Sequence, residues 1–299
     1  MNDDTNLHLG YGKHYQYPGY YLVYRDLKAK YTHPFVAGIE HFFAADFRGS
    51  LEAFYKTYQN LPTHYYWTNP GEEYPLPLEH GTHWLNEGEA KSRGFEFFLQ
   101  KKLTRDWHLL LSYAWNHSQA RDMRLFLTGS GSPNDSEQEG GWYDWDYDIR
   151  HQLTFIGGWK KKFHEETWYQ ELKKKKWFRI ASRVLGPLNP LADEIEINIR
   201  FGYNSGRPYT ERIYFPELRD WVASEDADWN SLCFPECHRL DFMFIQRWML
   251  PKLDIVAYIN IMNIYGRNNL WHYSYKEDGT KEEVWQYKTM PIGGVTLEF

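Results

Sequence analysis

Two cysteines in 299 residues, no long apolar run and no surplus of basic charge each remove a class of protein. Two cysteines cannot staple a small secreted scaffold. No apolar stretch reaches the roughly 18 residues that a spanning helix needs, which excludes a helical membrane span but not a β-barrel. Barrel strands alternate, so a mean hydropathy of −0.71 is compatible with one. A formal net charge of −6 offers no field for nucleic acid. The start, MNDDTNLHLGYG, has neither the basic nor the apolar region of a secretory signal, so an exported protein would be incomplete here. GxSxG, Walker and HExxH motifs are missing as well. The sequence therefore offers no catalytic residue and no cofactor site, and points away from an enzyme.

What is abundant is aromatic: Phe, Trp and Tyr make up 19% of the chain, and such rings suit boundaries that are apolar on one side and wet on the other. The clearest organised stretch runs from His238 to Asn269. Two alternating runs, Arg239 to Leu250 and Leu253 to Tyr265, are joined by Pro251 and Lys252, which predicts an antiparallel hairpin with one greasy and one polar face. Alternation is unbroken from Glu194 to Asn204, where Ile195, Ile197, Ile199, Phe201 and Tyr203 oppose Glu194, Glu196, Asn198, Arg200 and Asn204.

Similar patterns occur at Leu7 to Tyr11, around Phe35 to Phe43, Phe47 to Lys56, Gly94 to Gln100, Trp107 to Trp115 and Arg150 to Trp159, with a last run from Val284 to Phe299. About ten strands result, each near the roughly 9–11 residues that cross a bilayer. The connections alternate between short turns and long stretches, the latter including Leu61 to Asn86, Ala120 to Tyr147 and Arg207 to Glu236, as expected for an outer-membrane barrel. The exception is Lys160 to Asp193 on the short-turn side. There Trp168, Tyr169, Leu172, Trp177, Ile180, Ala181 and Val184 recur at near-helical spacing beside Lys173 to Lys176. A helical insertion near 165–185 follows, either a solvated periplasmic helix or one lying against the leaflet.

The hairpin HRLDFMF...LDIVAYINIMNIYGRNN, the preceding IRFGYNSGRPYT, the unit KSRGFEFFLQKKLTRDWHLLLSYAWNHSQA, the strand YDIRHQLTFIGGW and the end GGVTLEF resemble, in order, the C-terminal half of a TonB-dependent outer-membrane receptor barrel. The resemblance implies an all-β, antiparallel transmembrane barrel. Residues 1–299 would supply about ten C-terminal strands of about 22. The plug domain, the N-terminal strands and the signal peptide would lie outside this chain. It also implies a Gram-negative outer membrane, lipid as a partner, contact with the TonB complex through the missing part, and uptake of a scarce ligand such as a siderophore, cobalamin or a glycan. The alternatives are a free-standing ten-stranded pore or structural barrel, since an even count brings both ends to one side, and a soluble carbohydrate-binding or hydrolytic β-domain.

Strand parity assigns Arg93, Glu96, Glu194, Glu196, Arg200, Arg239, Asp241 and Arg247 to the lumen, where they would line a channel or pair with a plug. Asp144, Asp146 and Asp148 would share one strand face, as wet rim residues or as carboxylates gathered on calcium. Cys233 and Cys237 allow a small disulfide, free thiols or, with His238, an incomplete zinc set. No metal and no specific ligand-binding residue is assigned.

Overall fold

The computed structural model describes residues 4–19, 27–65, 83–121, 141–185, 192–217, 219–223 and 228–299. Ten strands lie side by side in one antiparallel sheet, in chain order: β1 (Thr5–Tyr11), β2 (Lys30–Ala44), β3 (Phe47–Tyr65), β4 (His83–Thr104), β5 (Trp107–Arg121), β6 (His151–Lys162), β7 (Glu194–Asn204), β8 (Cys237–Leu250), β9 (Leu253–Met262) and β10 (Met290–Glu298). Short segments His14–Gln16 and Tyr143–Asp144 add to β2 and β5. Among the described residues β1 pairs only with β2, and β10 only with β9, so the sheet has two open edges.

The turns at Ala45 and Asp46, at Arg105 and Asp106, and at Pro251 and Lys252 all fall at one end of the sheet. Arg105 and Asp106 have φ of 49° and 70°, the left-handed pair that matches a two-residue turn to the twist of its strands. The register carries one row from Leu7 through Ile39, Leu51, Phe97, Tyr113, Leu153 and Tyr203 to His238. The next row runs from His8 through Gly38, Glu52, Glu96, Ala114, Gln152 and Asn204 to Cys237. Because side chains alternate, the first row and its equivalents form one face. On it Leu9, Phe35, Leu51, Phe95, Trp107, Trp159, Ile199, Ile259 and Leu297 are 38–87% exposed. A sheet that leaves its aliphatic face uncovered has inverted the arrangement of a water-soluble domain.

Three expected boundaries move. Leu61 to Asn86 reads as loop because its prolines break the period, yet β3 runs to Tyr65 and β4 starts at His83. The strands absorb the irregularity with register shifts around Leu61 and with Asn60 at φ 58°; residues 66–82 lie outside the described set. Leu61, Ala90 and Ala120 are buried there under Tyr58, Tyr143 and Trp145, a small satellite core at the long-connection end. Much of the expected loop between Ala120 and Tyr147 falls on residues 122–140, also outside that set. Val284 belongs not to the last wall strand but to Lys281–Trp285, which pairs with Leu270–Tyr275 in a separate hairpin.

The helical insertion forms as two helices, α1 (Thr167–Lys174) and α2 (Lys176–Leu185), parted by Lys175, whose ψ of 132° is extended. It hangs from the short-turn end. Tyr169 is 1% exposed against Phe178, and burial raises its phenol pKa. Asp193 accepts the Met249 N–H at 2.8 Å and pairs with Lys173, so α1 is tied to the ends of both β7 and β8. No helix among the described residues is long and apolar enough to cross a membrane.

Candidate functional site

The face opposite the exposed aliphatics carries a set of charged groups, several of them ion-paired. Glu194 sits 2.9 Å from Lys160, 3.7 Å from His164 and 3.9 Å from Arg247. Arg247 also reaches Asp254 at 3.1 Å and Glu298 at 2.6 Å, linking β7 to β10 through four adjacent strands. Farther up, Arg239 meets Asp241 at 3.2 Å, and Asp241 accepts the buried Asn263 N–H at 2.9 Å. Glu196 accepts from Asn198 at 2.8 Å. Glu96 and Arg200 lie in the same alternation, with Glu96 opposite Glu52 and Arg200 opposite Asp241. The face is not uniformly polar: half-buried Phe98, Leu110 and Ile156 interrupt it, and Arg48 covers the Phe98 ring at 5.6 Å.

Arg93 departs from the expected set. Its register partners are Tyr55 and His117, so it shares the face of Phe95 and Phe97 rather than that of Glu96. Counting from residue 96 by twos reaches 94, and Arg93 has the other parity. Its guanidinium lies 3.4 Å from His117 Nδ1 in a band of tyrosine–histidine pairs that includes Tyr11–His33, Tyr113–His151 and Tyr265–His238.

Nor do the three aspartates share a strand face, since only Tyr143–Asp144 is strand. Asp144 and Asp148 both pair with Arg150, Asp148 accepts the Ser118 N–H at 2.7 Å, and Asp146 accepts from Asn230 Nδ2 at 2.6 Å. His117, Asp144 and Asp148 bring possible ligand atoms within 4.8 Å of one another, and the guanidinium of Arg150 lies against both carboxylates, with His117 Nε2 3.4 Å from Asp144. Cys233 and Cys237 are free thiols, the first exposed and the second beside the Gln286 amide, so the small disulfide is not formed.

At the long-connection end three small β units converge: Pro208–Tyr209 with Leu232–Cys233, Arg212–Phe215 with Asp220–Ala223, and the Leu270–Tyr275 hairpin. Tyr214 donates to the Glu277 carbonyl, and Trp221 Nε1 donates to that of Lys276 at 2.8 Å, fastening two of the units together. Between them runs a chain of rings: Phe234 on Tyr209 at 4.6 Å and on Tyr273 at 5.3 Å, then Tyr275 on Trp221 at 4.9 Å. Lys281 lies 3.9 Å from the Tyr273 ring centre, and Arg212 5.4 Å from that of Tyr275. Burial, with neighbouring Tyr273 adding to it, pushes the Tyr209 phenol up to about 12. Tyr273, Lys281, Glu282, Glu283 and Trp285 line an open concavity of about 630 Å³.

Rings beside a concavity lined by one lysine and two glutamates suit a ligand that offers planar or sugar surfaces. Sequence reasoning passed over this cluster because its strands are too short for a period. The available signal was YSYKEDGTK, two alternating tyrosines before an Asp-Gly turn. Gly279 there has φ +83°, and a side chain would meet the Tyr214 ring at 2.8 Å.

Gly206 is the tighter point, since an added Cβ would lie 1.5 Å from the Phe234 carbonyl oxygen. Gly206→Ala should therefore push Phe234 off the stack at a cost of about 1–3 kcal/mol. The measurement is the near-ultraviolet circular dichroism of the rings together with the melting temperature; an unchanged spectrum would mean that the stack does not depend on this approach.

The fold has close likenesses among solved structures at low sequence identity. The pyoverdine outer membrane receptor FpvA from Pseudomonas aeruginosa PAO1, bound to pyoverdine, matches with a TM-score of 0.61 at 13% identity, over 100% of this chain and 34% of its own. BauA, the ferric preacinetobactin receptor from Acinetobacter baumannii, gives 0.58 at 12% identity over 100% and 35%. The ferric yersiniabactin uptake receptor FyuA from Yersinia pestis gives 0.53 at 13% over 100% and 36%. The chain thus spans about a third of the length of these structures. No curated protein sequence matches it. The family model for the TonB dependent receptor-like β-barrel matches residues 1–215, and the chain belongs to that family, whose members are outer-membrane barrels.

Proposed function

We propose that this chain forms part of the wall of an outer-membrane receptor that takes up a scarce ligand with energy passed through TonB. The observation that carries the reading is the pairing of an exposed aliphatic face with an ion-paired opposite face in a sheet whose short turns share one end. On this reading the aliphatic face meets outer-membrane lipid. Glu96, Glu194, Glu196, Arg200, Arg239, Asp241 and Arg247 face the lumen, toward a plug. The rim rings meet a chelate or glycan, in keeping with the siderophores named for the similar receptors. Hydrocarbon cannot satisfy the edges that β1 and β10 leave unpaired among the described residues, each exposed backbone group costing several kcal/mol, so on this reading the wall closes with further strands of the same receptor.

A free-standing ten-stranded pore is the other reading, because ten is even and the sheet begins and ends at the short-turn side. Exporting the 299 residues alone in a Gram-negative host separates the two. The expected result is degradation or aggregation without a heat-modifiable band. Stable insertion with a uniform conductance would replace the receptor wall by the pore.

A further inference from the structure

The helical insertion leaves an apolar surface uncovered next to cations. In α2, Phe178 turns inward onto Tyr169, while Trp177 and Ile180, on the adjoining arc of the same helix, are 59% and 63% exposed; Trp168 of α1 is 51% exposed. Lys175, Lys176 and Arg179 are exposed beside them. Lys173 and Lys174 are paired with Asp193 and Glu171, whereas Lys175, Lys176 and Arg179 have no ion-pair partner among the described residues.

The insertion is also continuous with the aliphatic face of the wall. Trp107 and Trp159 are register partners on that face at its short-turn end, 43% and 41% exposed. Only three residues separate Trp159 from Phe163, whose ring lies 5.8 Å from that of Trp168. The insertion is anchored at its base: Lys161 holds Glu166 at 2.6 Å and Asp106 at 3.1 Å, and Asp193 ties α1 to β8. An amphipathic helix pair fixed at the edge of a lipid-facing surface, with tryptophans and cations exposed together, has the make-up of an interfacial element.

We infer that α1 and α2 lie on the phospholipid leaflet at the short-turn side, with Trp168, Trp177 and Ile180 in the headgroup boundary and Lys175, Lys176 and Arg179 beside lipid phosphates. The inference rests on the membrane reading of the wall. It adds a second membrane contact, outside the strands, that would fix how deep and at what tilt the wall sits.

The test uses the complete barrel reconstituted into vesicles of phosphatidylcholine and phosphatidylglycerol. With Cys233 and Cys237 replaced by serine, single cysteines are introduced as Ile180→Cys, Lys175→Cys and Ile199→Cys and labelled with an environment-sensitive dye. The Ile180 and Ile199 labels should lose most of their emission to spin-labelled lipid and little to aqueous iodide, with the Lys175 label showing the reverse. In phosphatidylcholine alone the lipid quenching at 180 should weaken while that at 199 stays. If iodide quenches 180 as fully as 175 while 199 remains in lipid, the interfacial placement is wrong and the wall assignment stands. If 199 is quenched by iodide too, both fail.

Discussion

Ile199→Arg should destabilise the complete barrel by about 2–4 kcal/mol, the cost of a charge on the lipid face near the midplane, with Ile197→Arg close behind. Ile199 lies at the middle of β7, pairs with Gly157 and Phe242, and leaves 40% of its surface uncovered on the aliphatic face. Its neighbour Asn198 points the other way, toward Glu196. An arginine at 198 would find that carboxylate and water, so Asn198→Arg should cost no more than about 1 kcal/mol. Urea titration of the three variants in one lipid composition gives the comparison. Equal losses at 197, 198 and 199 would mean that the two faces of the sheet do not differ in environment, and the membrane reading would go with them.

Asp148→Ala should cost about 2–4 kcal/mol through a different mechanism. The Asp148 side chain is 2% exposed, accepts the Ser118 N–H at 2.7 Å and pairs with Arg150 Nε. Its removal leaves a buried donor without a partner, worth about 1–3 kcal/mol. The rest comes from the lost half of a carboxylate–guanidinium pair, discounted because Arg150 is 37% exposed and keeps Asp144 at 2.9 Å. Asp144→Ala should cost less than about 1 kcal/mol, since that carboxylate is 32% exposed and leaves no backbone group stranded. Asp148→Asn, which retains an acceptor for Ser118, should recover part of the loss. Melting temperatures of the three variants decide it. A single small value shared by all would show that the rim is held by backbone pairing and not by this triad.

How much of this was legible beforehand depended on period and length. The ten wall strands could be read because a side chain that faces lipid and one that faces the interior must differ in polarity, and β geometry repeats that difference every second residue. Glu194 to Asn204 shows it without exception, and so the antiparallel strand class, the family resemblance and the short-turn side follow from sequence. The same parity, counted carelessly across Gly94, put Arg93 on the wrong face, since a shift of one residue exchanges the two faces.

Tertiary structure alone decided the rest, because those features depend on partners distant in sequence. Leu61 to Tyr65 becomes strand through pairing with His83 to Gly88, which overrides its proline. Asp144 and Asp148 converge on Arg150 and not on a shared strand face with Asp146, because a turn after Asp144 breaks the strand that would have aligned all three. Tyr209, Phe234 and Tyr273 are separated by up to 64 positions and meet only because three short β units converge above the wall. Periodicity records which way a side chain faces within one element; which groups meet between elements is set by closure of the chain, and no local pattern encodes it.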